Sequence, residues 1–169
     1  MASLIVVEAA RGQFVDDAAQ IWAEATAKRD NDAEIAPLAR SRRVIDAVLT
    51  SSLRSRLLVA VDAAGQVVGF IAVEPAGDSD VADIRYLGVL PSTWSSGVAT
   101  ALLAAVPKWL SAAGFTSAVL SVYSDNQAAI ASYVHAGWVP TGDATPHRGS
   151  GRLEQRYRLD PWNVPMIHR

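Results

Sequence analysis

Leu87-Gly88-Val89-Leu90-Pro91-Ser92-Thr93-Trp94-Ser95-Ser96-Gly97-Val98-Ala99 passes from an apolar, partly β-branched run through small residues into the opening of a helical pattern. The stretch reads as strand, loop and helix N-terminus. The first turn of a helix carries unpaired backbone N–H groups and a partial positive charge, so amides from Ser96 to Thr100 can hold a pyrophosphate without a basic side chain. Gly97 lets a ligand come close to the backbone. A tight strand-to-helix turn with no ligand is the alternative reading of the same residues.

Working outward, Leu4 to Glu8 forms a first strand, and Phe14, Ala18, Ile21, Trp22 and Ala25 recur at helical spacing behind Asp16 and Asp17. A second amphipathic helix places Leu38, Ile45, Val48, Leu49 and Leu53 on one side. Leu57 to Asp62 and Gln66 to Glu74 form a hairpin through Ala63-Ala64-Gly65, and Val81 to Leu90 is the fourth strand. After the quoted loop, Val98, Leu102, Val106 and Leu110 share one row of a helix that Pro107 should kink or restart and Gly114 should end. Thr116 to Tyr123 is a fifth strand, and Ser124 or Asp125 can cap the next helix, Asn126 to His135. Trp138 to Thr141 and Leu153 to Leu159 are late strands joined by a loop over Gly142 to Arg152. The sum is an α/β (α+β) fold: a single domain over 1–169, with a mixed, mostly antiparallel sheet of about seven strands and about four helices. The tail from Pro161 to Arg169 is left over.

Half of the 169 residues are hydrophobic, enough for a sizeable core. Fifteen Lys and Arg against 17 Asp and Glu give a charge of −2, which offers no footprint for nucleic acid. Apolar runs fall far short of the ~20 residues of a membrane span, and the N-terminus lacks a basic leader, so a cytoplasmic location is expected. With no cysteine in the chain, a disulfide framework, a thiolate metal site and a cysteine nucleophile are excluded. His135, His147 and His168 lack metal-ligand spacing, and no Gly-x-Ser-x-Gly elbow or Walker loop occurs at a strand-to-helix junction. No metal is expected.

A second motif follows the loop: Asn126, Ala129, Tyr133, Gly137 and Trp138, with Asn126 and Tyr133 seven residues apart on one helical face. With the loop, it resembles the GNAT superfamily of acyl-CoA-dependent N-acyltransferases, specifically from about Leu57 to Asp160. The resemblance implies acetyl-CoA as cosubstrate, with its pyrophosphate on Trp94, Ser95, Ser96, Gly97, Val98, Ala99 and Thr100. Trp94 departs from the Gln or Arg usual at the first loop position, which replaces a phosphate contact by stacking or loses it.

The resemblance also implies that strand backbone at Leu87 and Val89 holds the acyl carbonyl and pantetheine, with Gly88 suited to a bulge. It assigns Asn126 to the cofactor and Tyr133 to general acid catalysis, whose alternative is a core aromatic with its hydroxyl at the rim. A carboxylate early on the fourth strand points to Asp83 as base, directly or through water; its alternative is an ion pair with Arg85. Without a cysteine to carry the acyl group, direct transfer in a ternary complex is expected.

The acceptor is expected to be a primary amine of a small molecule or peptide. Asp30, Asp32 and Glu34 suggest a cationic one, against a merely solvated loop; Arg148, Arg152, Arg156 and Arg158 suit an acidic acceptor or ribose phosphate, against exposed strand edges. A non-catalytic acyl-CoA sensor on the same fold is the alternative from another class. The Trp162 tail leaves a partner-docking segment or a homodimer open.

Overall fold

A computed structural model describes residues 3–160. Among them the chain runs β1 (Ile5–Glu8), α1 (Val15–Arg29), α2 (Leu38–Leu49), β2 (Arg56–Val61), β3 (Val67–Pro75), β4 (Val81–Val89), α3 (Val98–Ala112), β5 (Ser117–Tyr123), α4 (Gln127–His135), β6 (Val139–Pro146) and β7 (Leu153–Leu159). Hydrogen-bonded strand neighbours follow the order β1-β2-β3-β4-β5-β7-β6. The expected mixed α/β architecture is therefore the one observed. The tail from Pro161 lies outside the described residues.

The chain gathers into two compact units. The first takes the chain to Glu74 together with Arg85–Ala105. Its strands β1, β2 and β3 form an antiparallel meander, with Ile5 opposite Val61 and Arg56 opposite Val73. The turn between β2 and β3 is closed by Asp62, whose Oδ1 accepts from the amides of Ala64 and Gln66. One core joins α1 and α2 to these strands through Ala18, Ala19, Ile21, Ile45, Val48, Leu57, Val59 and Phe70. Each large apolar side chain buried there contributes roughly 1.5–3 kcal/mol.

The second helix stops short of its expected reach. Thr50 and Ser51 turn their hydroxyls onto the carbonyls of Asp46 and Val48, and the chain leaves the helix at Leu49. Leu53, expected on the apolar face, is consequently 89% exposed.

The second unit takes Pro75–Ile84 and the chain from Val106 onward. Here β4 pairs in parallel with β5 from Val81↔Ser117 to Ile84↔Leu120, and β7 lies antiparallel to both β5 and β6. Two expectations change. Helix α3 runs without interruption through Pro107, because the residues around it, Leu102, Leu103, Val106 and Leu110, are all fully buried and offset the missing hydrogen bond. Strand β6 extends to Pro146, where a loop was expected. A register shift between Thr141 and Thr145, with Gly142 at φ +67°, absorbs the loop-like residues as a bulge.

Candidate active site

The quoted loop belongs to the first unit. After a 3-10 turn at Pro91–Thr93, Ser95 and Gly97 both take left-handed backbone, φ 70° and 85°. A Cβ on Gly97 would meet no atom within 4 Å, so the glycine serves the backbone angle, and the space beside it is open. Helix α3 makes its first bond from the Ala101 amide to the Gly97 carbonyl, which leaves the amides of Val98, Ala99 and Thr100 ahead of it. The Ser96 amide is already donated to the Thr93 carbonyl, so the unpaired amides of this turn begin at Gly97.

Trp94 fixes this loop to its own strand. Its indole N–H donates to the Val89 carbonyl at 2.8 Å, and the Lys28 ammonium, from the last turn of α1, lies 5.0 Å from the ring centroid. Where the resemblance leads one to expect a polar or basic residue on the loop itself, this chain brings a cation from another helix. That pairing escapes sequence reading, since Lys28 is distant along the chain. Below the loop, a Cβ on Gly88 would fall 2.6 Å from the Phe70 ring, so this glycine, expected to suit a bulge, serves close packing. Leu87 and Val89 flank it, half-buried.

The second unit carries Asn126 and Tyr133. Asn126, expected inside α4, is its N-cap: Oδ1 accepts from the Ala129 amide at 3.2 Å, the role expected of Ser124 or Asp125. Asp125 pairs with Arg152 instead. Helix α4 ends at Gly137, φ +95°, with the Gly137 amide on Val134 and the Trp138 amide on Tyr133. This double bond pattern is a Schellman motif, and its usual apolar contact is made here by the rings of Tyr133 and Trp138, 6.3 Å apart. Tyr157 holds the other side of the Tyr133 ring at 6.4 Å. Helix termination therefore aims the tyrosine.

The Tyr133 side chain is half-buried, and the protein packed around its hydroxyl displaces part of its solvent. That desolvation pushes the phenol up to about 12, so it remains protonated throughout the physiological range. No group among the described residues hydrogen-bonds it. Asp83, on the β4 portion of the same unit, has Arg156 Nη2 at 3.9 Å from its carboxylate. Arg156 also donates to Ser121, and Arg158 to Asp160 and Ser117, so these arginines are engaged along the β5–β7 ladder.

The first unit also contains two depressions. One, of about 540 Å³, is lined by Arg40, Arg43, Val44, Ala47, Val48, Glu74, Arg85 and Tyr86. Beside it, Asp32 and Glu34 share a second of about 530 Å³ with Arg40, while Asp30 pairs with its neighbour Arg29. Nothing in the periodicity singled out Arg40, Arg43 or Glu74. The only cue was one carboxylate ending an otherwise apolar β3.

Known proteins fit this arrangement. The model of the acetyltransferase (GNAT) family matches residues 16–138. Mycothiol acetyltransferase from Renibacterium salmoninarum is 33% identical over 85 residues, 48% of this chain and 25% of that protein. The matched part thus spans about a quarter of its curated relative. The ribosomal-protein-S18-alanine N-acetyltransferase of Escherichia coli superposes with TM-score 0.69 at 15% identity, over 99% of both chains. A phosphinothricin acetyltransferase from Sinorhizobium meliloti, solved with acetyl-CoA, superposes with TM-score 0.71 at 14% identity, over 94% of this chain and 88% of the other. At such identities the superpositions establish the fold.

Proposed function

Since the chain belongs to the acetyltransferase (GNAT) family, we propose that it moves an acetyl group from acetyl-CoA to a primary amine by direct transfer. The loop is the observation that carries this reading: unspent amides from Gly97 to Thr100, beside open space at a left-handed glycine, suit a pyrophosphate. Lys28 on Trp94 adds the positive charge that the loop itself lacks.

Acetyl-CoA supplies an acyl group already activated as a thioester. Strand backbone around Leu87 and Val89 is assigned to the acyl carbonyl, where oriented N–H groups stabilise the oxyanion of acyl transfer. The Asn126 Oδ1 is committed to its cap, which leaves the side-chain amide as its donor toward a cofactor.

Tyr133 is assigned to protonate the leaving thiol. A phenol near 12 is a weaker acid than a free thiol of reference pKa ~8.5, so full transfer in water would run uphill. Burial raises a thiolate for the same reason that it raises the phenol, and a shared dry site brings the two values together. Asp83 is assigned to remove the ammonium proton through water. Without a cysteine to hold the acyl group, no covalent relay is required.

Calorimetric titration with acetyl-CoA, with free CoA and ATP as comparators, tests the reading. Micromolar binding of acetyl-CoA with ATP inert, followed by thiol release on adding amines, is expected. Binding without turnover by any amine would make the chain an acyl-CoA sensor, and no binding would remove the acetyltransferase reading altogether.

A further inference from the structure

The 540 Å³ depression of the first unit has a split character. From α2 it receives Arg40, Arg43, Val44, Ala47 and Val48, positions that share one helical face. The face is cationic at its N-terminal end and apolar after it. Glu74 and Arg85 close the opposite wall with Tyr86.

Charge does not balance there. Arg85 donates to Glu74 at 2.7 Å, and Ser51 donates to the same carboxylate at 2.8 Å. Arg42, on the other side of α2, is satisfied by Asp16 and Asp46. Arg40 and Arg43 have no side-chain hydrogen bond or ion pair among the described residues. Two exposed guanidinium groups thus stand beside Val44, Ala47 and Val48 without an ion pair of their own, with Glu74 of this depression engaged by Arg85 and with Asp32 and Glu34 sharing the neighbouring depression with Arg40. Such a setting leaves paired N–H donors open to a planar carboxylate.

We propose that this depression binds the acceptor and that the acceptor is an α-amino acid with an apolar side chain, its carboxylate held by Arg40 and Arg43. The inference rests on the acetyltransferase reading, and it replaces the expectation of a cationic amine drawn by Asp30, Asp32 and Glu34. Val44, Ala47, Val48 and the Tyr86 ring take the side chain, and Glu74 accepts a hydrogen bond from the amine. Arg85 and Tyr86 directly precede Leu87, where the acyl carbonyl is assigned; at ~3.3 Å per strand residue the amine lies within one or two residues of it. Transfer forms the amide C–N bond and breaks the thioester C–S bond. The amine gives up one proton and the departing sulfur receives one, so CoA and an N-acetyl amino acid are the products.

The test compares L-leucine and L-phenylalanine with L-leucinamide and L-phenylalaninamide, which keep the side chain and lose the negative charge. The amides carry the less basic amine and more of its free form at neutral pH, so simple reactivity favours them. Recognition as proposed reverses this: the acids exceed the amides at least tenfold in kcat/KM on total substrate at neutral pH. In the Arg40→Met/Arg43→Met double variant, KM for leucine rises about tenfold, while KM for acetyl-CoA and the leucinamide rate hold. Equal or better use of the amides, or a preference that survives the double variant, overturns the proposal.

Calorimetry with N-acetyl-L-leucine and N-acetyl-L-leucinamide judges the pocket without turnover. Tighter binding of the acid, lost in the double variant, supports the proposal; no binding of the acid, or no difference, refutes it. Should acetyl-CoA fail to bind, the acetyltransferase reading falls, while this second arm still decides the carboxylate site.

Discussion

The loop at Trp94–Thr100 and the end of α4 at Tyr133–Trp138 are built on opposite plans. The loop offers backbone: its functional atoms are amides, its glycine has no neighbour within 4 Å of a Cβ, and its Trp94 is 40% exposed. The end of α4 offers one side chain, held by a terminating glycine, by Trp138 at 1% exposure and by Tyr157. A backbone cradle tolerates change of side chain and resists change of dihedral angle. A single phenol does the reverse.

The contrast is broken most directly at Tyr133. Removing only its hydroxyl, Tyr133→Phe, should lower kcat by about 10²-fold or more, the usual share of a general acid, while acetyl-CoA affinity changes less than about threefold. Steady-state thiol release and calorimetry read the two quantities, and a kcat within threefold of wild type would sink the acid role. A companion pH profile sharpens the point. Because the phenol stays protonated until about 12, it imposes no alkaline loss of rate below roughly pH 10, and the rate should climb with pH as the acceptor amine deprotonates.

Gly97→Val comes next. It puts a branched residue at φ +85° and fills the open side of the cradle, so the dissociation constant for acetyl-CoA should rise about tenfold or more, with kcat at saturation nearly kept. If kcat falls as far as affinity, the loop and the tyrosine do not divide the work. Lys28→Met should give the smallest effect, about a threefold loss of acetyl-CoA affinity at low salt that fades as salt is raised. An exposed cation acting on a phosphate is screened within a Debye length. A salt-independent loss would instead mark Lys28 as packing for Trp94.

Much of this plan is legible in the sequence, for a definable reason. Gly97, Gly114 and Gly137 do local work at positive φ, and local work leaves its mark at the position itself. The succession of strands along the chain followed from apolar runs and their turn residues, whereas the place of β7 between β5 and β6 did not. Misreadings had separate causes: Pro107 is carried by the buried side chains around it, Gly142 is absorbed in a bulge against β7, and Leu53 is left exposed because the hydroxyls of Thr50 and Ser51 end α2 locally. The depression around Arg43 and the Lys28–Trp94 contact were invisible because each joins segments far apart in the chain. Asn126 shows an intermediate case, in which the residue was singled out and its cap bond was not anticipated.

Under the first turn of α3 lie two glycines on adjacent strands. A Cβ on Gly69 would fall 2.7 Å from Val98 Cγ1 and 3.2 Å from the Gly88 carbonyl, and one on Gly88 would strike Phe70. The first would press on the helix that carries the amides and the second on a core ring, so a lineage cannot enlarge either position without reshaping its neighbours in the same step. Trp94 shows the opposite freedom, since its exposed ring leaves room for other side chains. In tracing descent, the flat pair beneath the cradle should therefore outlast the loop that touches the ligand, and distant kin are better sought by Gly69 and Gly88 than by the letters at 94–96.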